Sequence, residues 1–149
     1  MAGAPGKTPE ERMEYLIRVA DRMGIEKLIC HLGMQTGSSD PSPEQLREDN
    51  DNVLRAVKAS KGRALGYVYL NPNHGEASLK LLEEFVAKGP FVGVKLWVAR
   101  RCREPELDPI IRRAGELKAG IYQHTWFKTG GNLPGESTPL DVASVDRYR

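Results

Sequence analysis

The sequence predicts an α/β fold built from parallel βα repeats, and three observations carry that prediction. Short apolar runs starting near residues 26, 64, 91 and 120 alternate with amphipathic helical stretches at roughly thirty-residue intervals, the signature of βαβ units. The runs are nearly continuous in apolar character, as expected of strands covered on both faces. The helical stretches carry start and stop signals at their ends. Four parallel strands are half of the eight that close a barrel, so the pattern reads as a small open sheet or as the middle of a larger protein.

TPEERMEYLIRVADRMG begins with Thr8 as N-cap, Pro9 at the first helical position and Glu11 three residues after the cap, a capping box. Met13, Leu16, Ile17 and Ala20 recur at helical spacing, and Gly24 supplies the stop. EKLICHLG then gives a buried strand over 26–32. The polar loop GMQTGSSDPSP leads into a second helix over 43–60, with Leu46, Val53, Leu54 and Val57 on its apolar face. ALGYVYLNP, 64–72, is the second strand, ended by Asn71-Pro72. A third helix over 76–88 turns Leu79, Leu82, Phe85 and Val86 inward and stops at Gly89. FVGVKLWV, 91–98, is the third strand. Asp108-Pro109 opens a fourth helix through Lys118, and GIYQHTW is the fourth strand. STPLDVASVDRYR restarts a helix, with Ser137 or Thr138 as cap and Pro139 just inside it.

Composition bounds the function. The 149 residues suit one domain spanning 1–149, with 40% apolar and 28% charged residues and a formal charge of +2. The nearest approach to a basic patch, Arg100-Arg101-Cys102-Arg103, is followed at once by Glu104 and Glu106, so no nucleic-acid surface is expected. No stretch approaches the ~20 apolar residues that span a bilayer, and MAGAPGKTPEER has no apolar signal core. Cys30 and Cys102 lie far apart and outside any CxxC pair, so they make no disulfide scaffold, and a reducing cytoplasm is the expected setting. The GKT at Gly6–Thr8 is a decoy for a phosphate loop, because the glycine required five residues earlier is Met1.

In parallel sheets function sits at the carboxyl ends of the strands, and all three histidines, His31, His74 and His124, fall at that end. In 91–98, Val92, Val94, Leu96 and Val98 share one face and Gly93, Lys95 and Trp97 the other. A lysine on a buried strand must reach a cleft, a charge partner or the rim, where its stem can lie along apolar surface. Tyr122, His124 and Trp126 share a face of the fourth strand; if it points inward, Lys95 and His124 converge on one mouth. A strand-end histidine is by itself more often a hydrogen-bonded side chain than a metal ligand. His74, in NPNHGE, reads as a structural or solvated turn residue.

ALGYVYLNP, GPFVGVKLWV, ELDPIIRRAGELKAGIYQHTW and GESTPLDVA, in that order and spacing, resemble the central part of the amidohydrolase-related branch of the amidohydrolase superfamily. These are metal-dependent TIM barrels, and the resemblance covers nearly the whole chain. It implies strands two to five of eight, about half of a (β/α)8 barrel truncated at both ends. It also implies a divalent ion, commonly zinc, at the barrel mouth, activating a water to attack a C–N or C–O bond, with non-oxidative decarboxylation in some relatives. Carried over by position, His124 matches the fifth-strand metal ligand. Lys95, the catalytic candidate, ends the fourth strand, where some superfamily members carry a carbamylated lysine that bridges two metals; Trp97 and Trp126 would wall the substrate pocket or pack the barrel top, with Tyr122 beside them in the pocket.

The departures also matter. The family's first-strand His-x-His pair is absent, and the later histidine and aspartate would lie beyond Arg149. His31 and His74 match no family position. The expectation is therefore a part of a metal-dependent hydrolase that acts on a small molecule, inactive alone and without a tightly held metal, self-associating through open sheet edges. The alternative is a complete small binding or assembly module that has lost the metal site. A flavodoxin-like binding domain is the third reading, disfavoured because no Gly-rich loop follows the first strand.

Overall fold

The computed structural model describes residues 3–31 and 38–145. Its elements, in order, are α1 (Pro9–Arg22), β1 (Leu28–Cys30), α2 (Pro43–Ala59), β2 (Ala64–Leu70), α3 (Gly75–Leu82), β3 (Gly93–Leu96), α4 (Asp108–Glu116), β4 (Gly120–Gln123) and α5 (Pro139–Ala143). The four strands form one parallel sheet in the order β1-β2-β3-β4, curled with alternating helices into half of a barrel.

The helix starts follow from local chemistry. Thr8, Ser42 and Thr138 each cap a helix in a capping box with Glu11, Gln45 and Asp141, and each is followed by proline. Gly24 takes a left-handed φ of 68° just after α1, which L side chains rarely adopt. The third helix is irregular: a 3₁₀ turn, Pro72–His74, precedes it and a wider π turn, Glu83–Ala87, follows it. The wider turn places Phe85 against Phe91, with ring centres 5.1 Å apart, and Phe91 lies over Gly66, where a Cβ would meet its ring at 2.3 Å.

Strand register sorts side chains between two faces. Val68, Leu70, Val94 and Leu96 point under the helices and pack with Met13, Leu46, Val53, Leu82, Phe85, Leu107 and Ile110. Each such large apolar side chain contributes roughly 1.5–3 kcal/mol on burial. Leu65, Tyr67, Tyr69, Gly93, Lys95, Gly120 and Tyr122 occupy the opposite phase and face the barrel interior.

The strands are shorter than the apolar runs suggest, and β4 is the clearest case: it ends at Gln123, although the expected strand runs to Trp126. The pairing of β1 with β2 is described as far as Cys30↔Gly66, and Leu32 lies outside the described residues. Further along β2 a side chain meets the backbone. The Asn50 amide of α2 accepts from the Tyr69 N–H at 2.8 Å and donates to the Tyr69 carbonyl at 2.9 Å. One buried asparagine thus answers both backbone groups of Tyr69. Cys30 and Cys102 are both buried and are not joined in a disulfide. No helix among the described residues is long and apolar enough to cross a membrane.

Candidate functional site

The barrel-facing side is layered by register. At the bottom, Tyr67 lies across Gly93 and Gly120; a Cβ on Gly93 would sit 2.7 Å from the Tyr67 ring, and one on Gly120 2.9 Å from its hydroxyl. The next layer is Tyr69–Lys95–Tyr122, one residue from each of β2, β3 and β4. Above it come Trp97 and His124, where the His124 N–H donates to the Leu96 carbonyl at 2.9 Å and carries the ladder one rung further. Lys95 and His124 therefore share a face near one mouth, together with Tyr122 and Trp97.

Lys95 is 4% exposed and forms no hydrogen bond or ion pair with the described residues. Its Nζ stands 4.1 Å from the centre of the Tyr122 ring. Burial lowers the ammonium pKa to about 8. The His31 ring meets the same tyrosine edge-on, with centres 5.6 Å apart, and its buried Nδ1 has no partner. Burial, and then the Lys95 charge, bring the His31 pKa down to about 4, so this imidazole is neutral at neutral pH. The Tyr69 hydroxyl is also buried and unpartnered; burial, followed by the nearby Asp49 and Asp40 charges, raises its pKa.

His124 belongs to a second constellation. Its Nε2 lies 3.1 Å from Oε1 of Glu136, whose side chain is 1% exposed. Lys128 Nζ donates to the other carboxylate oxygen at 2.9 Å, and the Leu133 N–H does so at 3.1 Å. Burial opposes ionisation of Glu136, but these donors outweigh it and hold the pKa below the usual carboxylate value. The loop that delivers Glu136 is fixed at both ends. Trp126 N–H donates to the Ser137 carbonyl at 3.0 Å, and the Gly135 backbone presses so close to Val98 that a Cβ would lie 2.2 Å from the Val98 carbonyl oxygen. With Glu136 ionised, His124 donates Nε2–H, and in the neutral imidazole that tautomer puts the lone pair on Nδ1. The Trp126 ring is 6.0 Å from that of His124 and half-exposed, and the Trp97 ring is 6.5 Å away, edge-on.

The loops at the carboxyl ends are tied by a polar network. Asp40 accepts from Asn71 Nδ2 at 2.6 Å and Asn73 Nδ2 at 3.0 Å, and Arg100 Nε donates to Asn73 Oδ1 at 2.6 Å. His74 stands 3.9 Å from Asp40 within this network and does not join the Lys95 layer.

The metal-binding expectation meets this geometry in part. A histidine whose second nitrogen is held by a carboxylate is the usual form of a metal-binding imidazole. Among the described residues, however, no three His, Cys, Asp or Glu side chains are grouped to hold an ion. The residues present fit one donor of a metal site, not the site. Sequence reading missed Glu136, Asn50 and the unpartnered Tyr69 hydroxyl. Only Tyr69 had a signal, since it alternates with Tyr67 on one side of its strand.

No protein-family model matches the sequence, and no curated protein matches it. Among solved structures, 2,6-dihydroxybenzoate decarboxylase complexed with 2,6-dihydroxybenzoate matches at TM-score 0.66 and 20% identity, over 76% of this chain and 39% of that one. The 2,6-dihydroxybenzoate decarboxylase from Rhizobium matches at TM-score 0.67 and 19% identity, over 87% of this chain and 43% of that one. The chain thus spans about two fifths of the length of these structures. At such identity the likeness is one of fold.

Proposed function

We propose that this chain is the part of an amidohydrolase-type barrel enzyme that carries strands two to five, and that His124 supplies one ligand to a divalent metal, zinc by family precedent, in the complete protein. The observation that carries the reading is the barrel-facing stack of Lys95, Tyr122, Trp97 and His124 at the carboxyl ends of consecutive parallel strands. A metal there would polarise a substrate oxygen or water. This chain's own contribution is to hold His124 in one tautomer through Glu136 and to place aromatic walls around the mouth. Lys95, with a pKa brought to about 8, is the candidate catalytic side chain because it can exchange a proton near neutral pH.

The fold likeness to two decarboxylase structures favours non-oxidative decarboxylation over hydrolysis: the carboxylate leaves as CO2 and a proton takes its place. The test is the complete protein from its source, assayed for bound metal and for CO2 release from 2,6-dihydroxybenzoate. His124→Ala should lose the metal and the activity together. Unchanged metal stoichiometry in that variant rejects the assignment. The rival reading is a binding module that presents the same barrel-facing aromatic stack without a metal. It requires that the native protein contain no stoichiometric metal.

A further inference from the structure

We propose that Lys95 is a Schiff-base lysine, whose side-chain amine in the barrel-facing layer condenses with a small uncharged aldehyde or ketone. The inference goes beyond the metal-centred reading above and stands without it, because the amine and the groups around it all belong to this chain.

A lysine attacks a carbonyl carbon only as the free amine, and an exposed lysine, with a pKa near 10.4, is almost wholly ammonium at neutral pH. Lys95 differs from the other lysines of the chain. Each of those is exposed or half-buried, whereas Lys95 is 4% exposed. No carboxylate among the described residues offsets that burial, which by itself lowers the pKa to about 8. About a fifth of the side chain is then free amine at pH 7.4, against roughly one part in a thousand for an exposed lysine. Desolvation of this kind is one of the recognised ways in which a lysine becomes a nucleophile.

The amine is buried but not sealed. Its strand phase points it into the barrel interior beside Tyr69 on β2 and Tyr122 on β4. Unlike Tyr69 Oη and His31 Nδ1, Nζ is not closed off from solvent, so a small molecule in the barrel interior can reach it.

The surroundings select an uncharged carbonyl compound. The Tyr122 ring face lies 4.1 Å from Nζ, and the neutral His31 imidazole packs edge-on against the same ring. Neither brings a second positive charge to compensate a carbamate or another anion formed on the nitrogen. An imine is uncharged, and its protonated form keeps the ring face beneath the nitrogen, the contact the ammonium already has. The step balances between the two reactants. The nitrogen adds to the carbonyl carbon and loses a proton as the oxygen gains one, and departure of that oxygen as water leaves the C=N bond. No oxidant or reductant is consumed, and hydrolysis reverses it.

The probe is propanal with sodium cyanoborohydride, which reduces the imine to a stable propylamine. It is applied at a limiting dose to the 149-residue chain at pH 7.4, and the modified lysines are located by peptide mass spectrometry. Lys95 should be propylated at least tenfold faster than any exposed lysine. That preference should shrink as pH rises from 8 to 10, where the exposed amines lose their own protons, and should vanish in guanidinium chloride. Equal or slower labelling at Lys95 in the folded chain overturns the proposal, as does a preference that ignores pH or survives unfolding. Bicarbonate at millimolar concentration should leave the labelling unchanged; protection of Lys95 by bicarbonate would assign the amine to CO2 and overturn the carbonyl assignment. Every arm is read on the wild-type chain, so no variant has to fold, and none depends on whether the native protein holds a metal.

Discussion

Asp49 shows how one buried side chain sets a pH dependence. It is 3% exposed on α2, its Oδ2 has no partner, and burial, helped by the Glu48 charge, raises its pKa to about 6. In the unfolded chain it titrates near 3.9. The folded protein therefore binds more protons at this position between about pH 4 and pH 6, and stability falls as pH rises through that window. Glu136 has the opposite sign. Its folded pKa is depressed, so its contribution is present above the unfolded value and is lost as pH falls through the folded one. Asp49→Asn removes the first effect without touching the second. It should stabilise the protein by about 1 kcal/mol at pH 7, allowing for solvent near the helix surface, and by nothing below pH 4. Urea unfolding at both pH values measures this, and an equal effect at the two would show that Asp49 does not titrate with folding.

At the level of elements, Asn50 joins α2 to β2 more directly than any apolar contact does. Its amide answers the N–H and C=O of Tyr69, and its Nδ2 also donates to the Leu46 carbonyl at 2.8 Å. Asn50→Leu keeps the volume but orphans a buried backbone donor and acceptor, each worth about 1–3 kcal/mol when left unmade. The expected loss is about 3 kcal/mol in urea unfolding with an unchanged slope, and a loss no larger than that of an exposed substitution on α2 would mean that β1 or water takes over the rung. The same residue marks what the sequence could tell. Caps, prolines and the two-residue alternation in FVGVKLWV and ALGYVYL are local signals, so helix starts, strand faces and the shared side of Lys95, Trp97, Tyr122 and His124 were legible. Strand ends were not, because an apolar run does not record where backbone pairing stops, as at Gln123 in GIYQHTW. Nor was Glu136 legible: its burial depends on Gly135 pressing onto a backbone more than thirty residues away in sequence.

The molecule as a whole is a half-barrel with two open sides. β1 and β4 each pair with one strand only among the described residues. Both edges carry exposed apolar side chains: Ile29 on β1 is 57% exposed, and Ile121 and Tyr122 on β4 are 41% and 52% exposed. Behind β4, Leu96, Ile111, Ile121, Val142 and Val145 line an apolar groove of about 270 Å³ on the helix side of the sheet. Unpaired strand edges flanked by apolar surface are templates for pairing, and natural sheets protect them with charge, proline or cover. Neither edge strand here carries a charged or proline residue, since they read LIC and GIYQ. The isolated chain should therefore self-associate. Sedimentation velocity from low micromolar to near-millimolar concentration should show the mean mass rising above 16.6 kDa. Placing lysine on the edges, as Ile29→Lys with Ile121→Lys, should shift the distribution back toward monomer without unfolding it, because both side chains are substantially exposed. A wild-type chain that stays at the monomer mass throughout would mean that the exposed strand edges are not sticky. Association that the lysines leave unchanged would move the contact elsewhere, for example to the Trp126–Phe127 loop or to Leu140, which are also exposed.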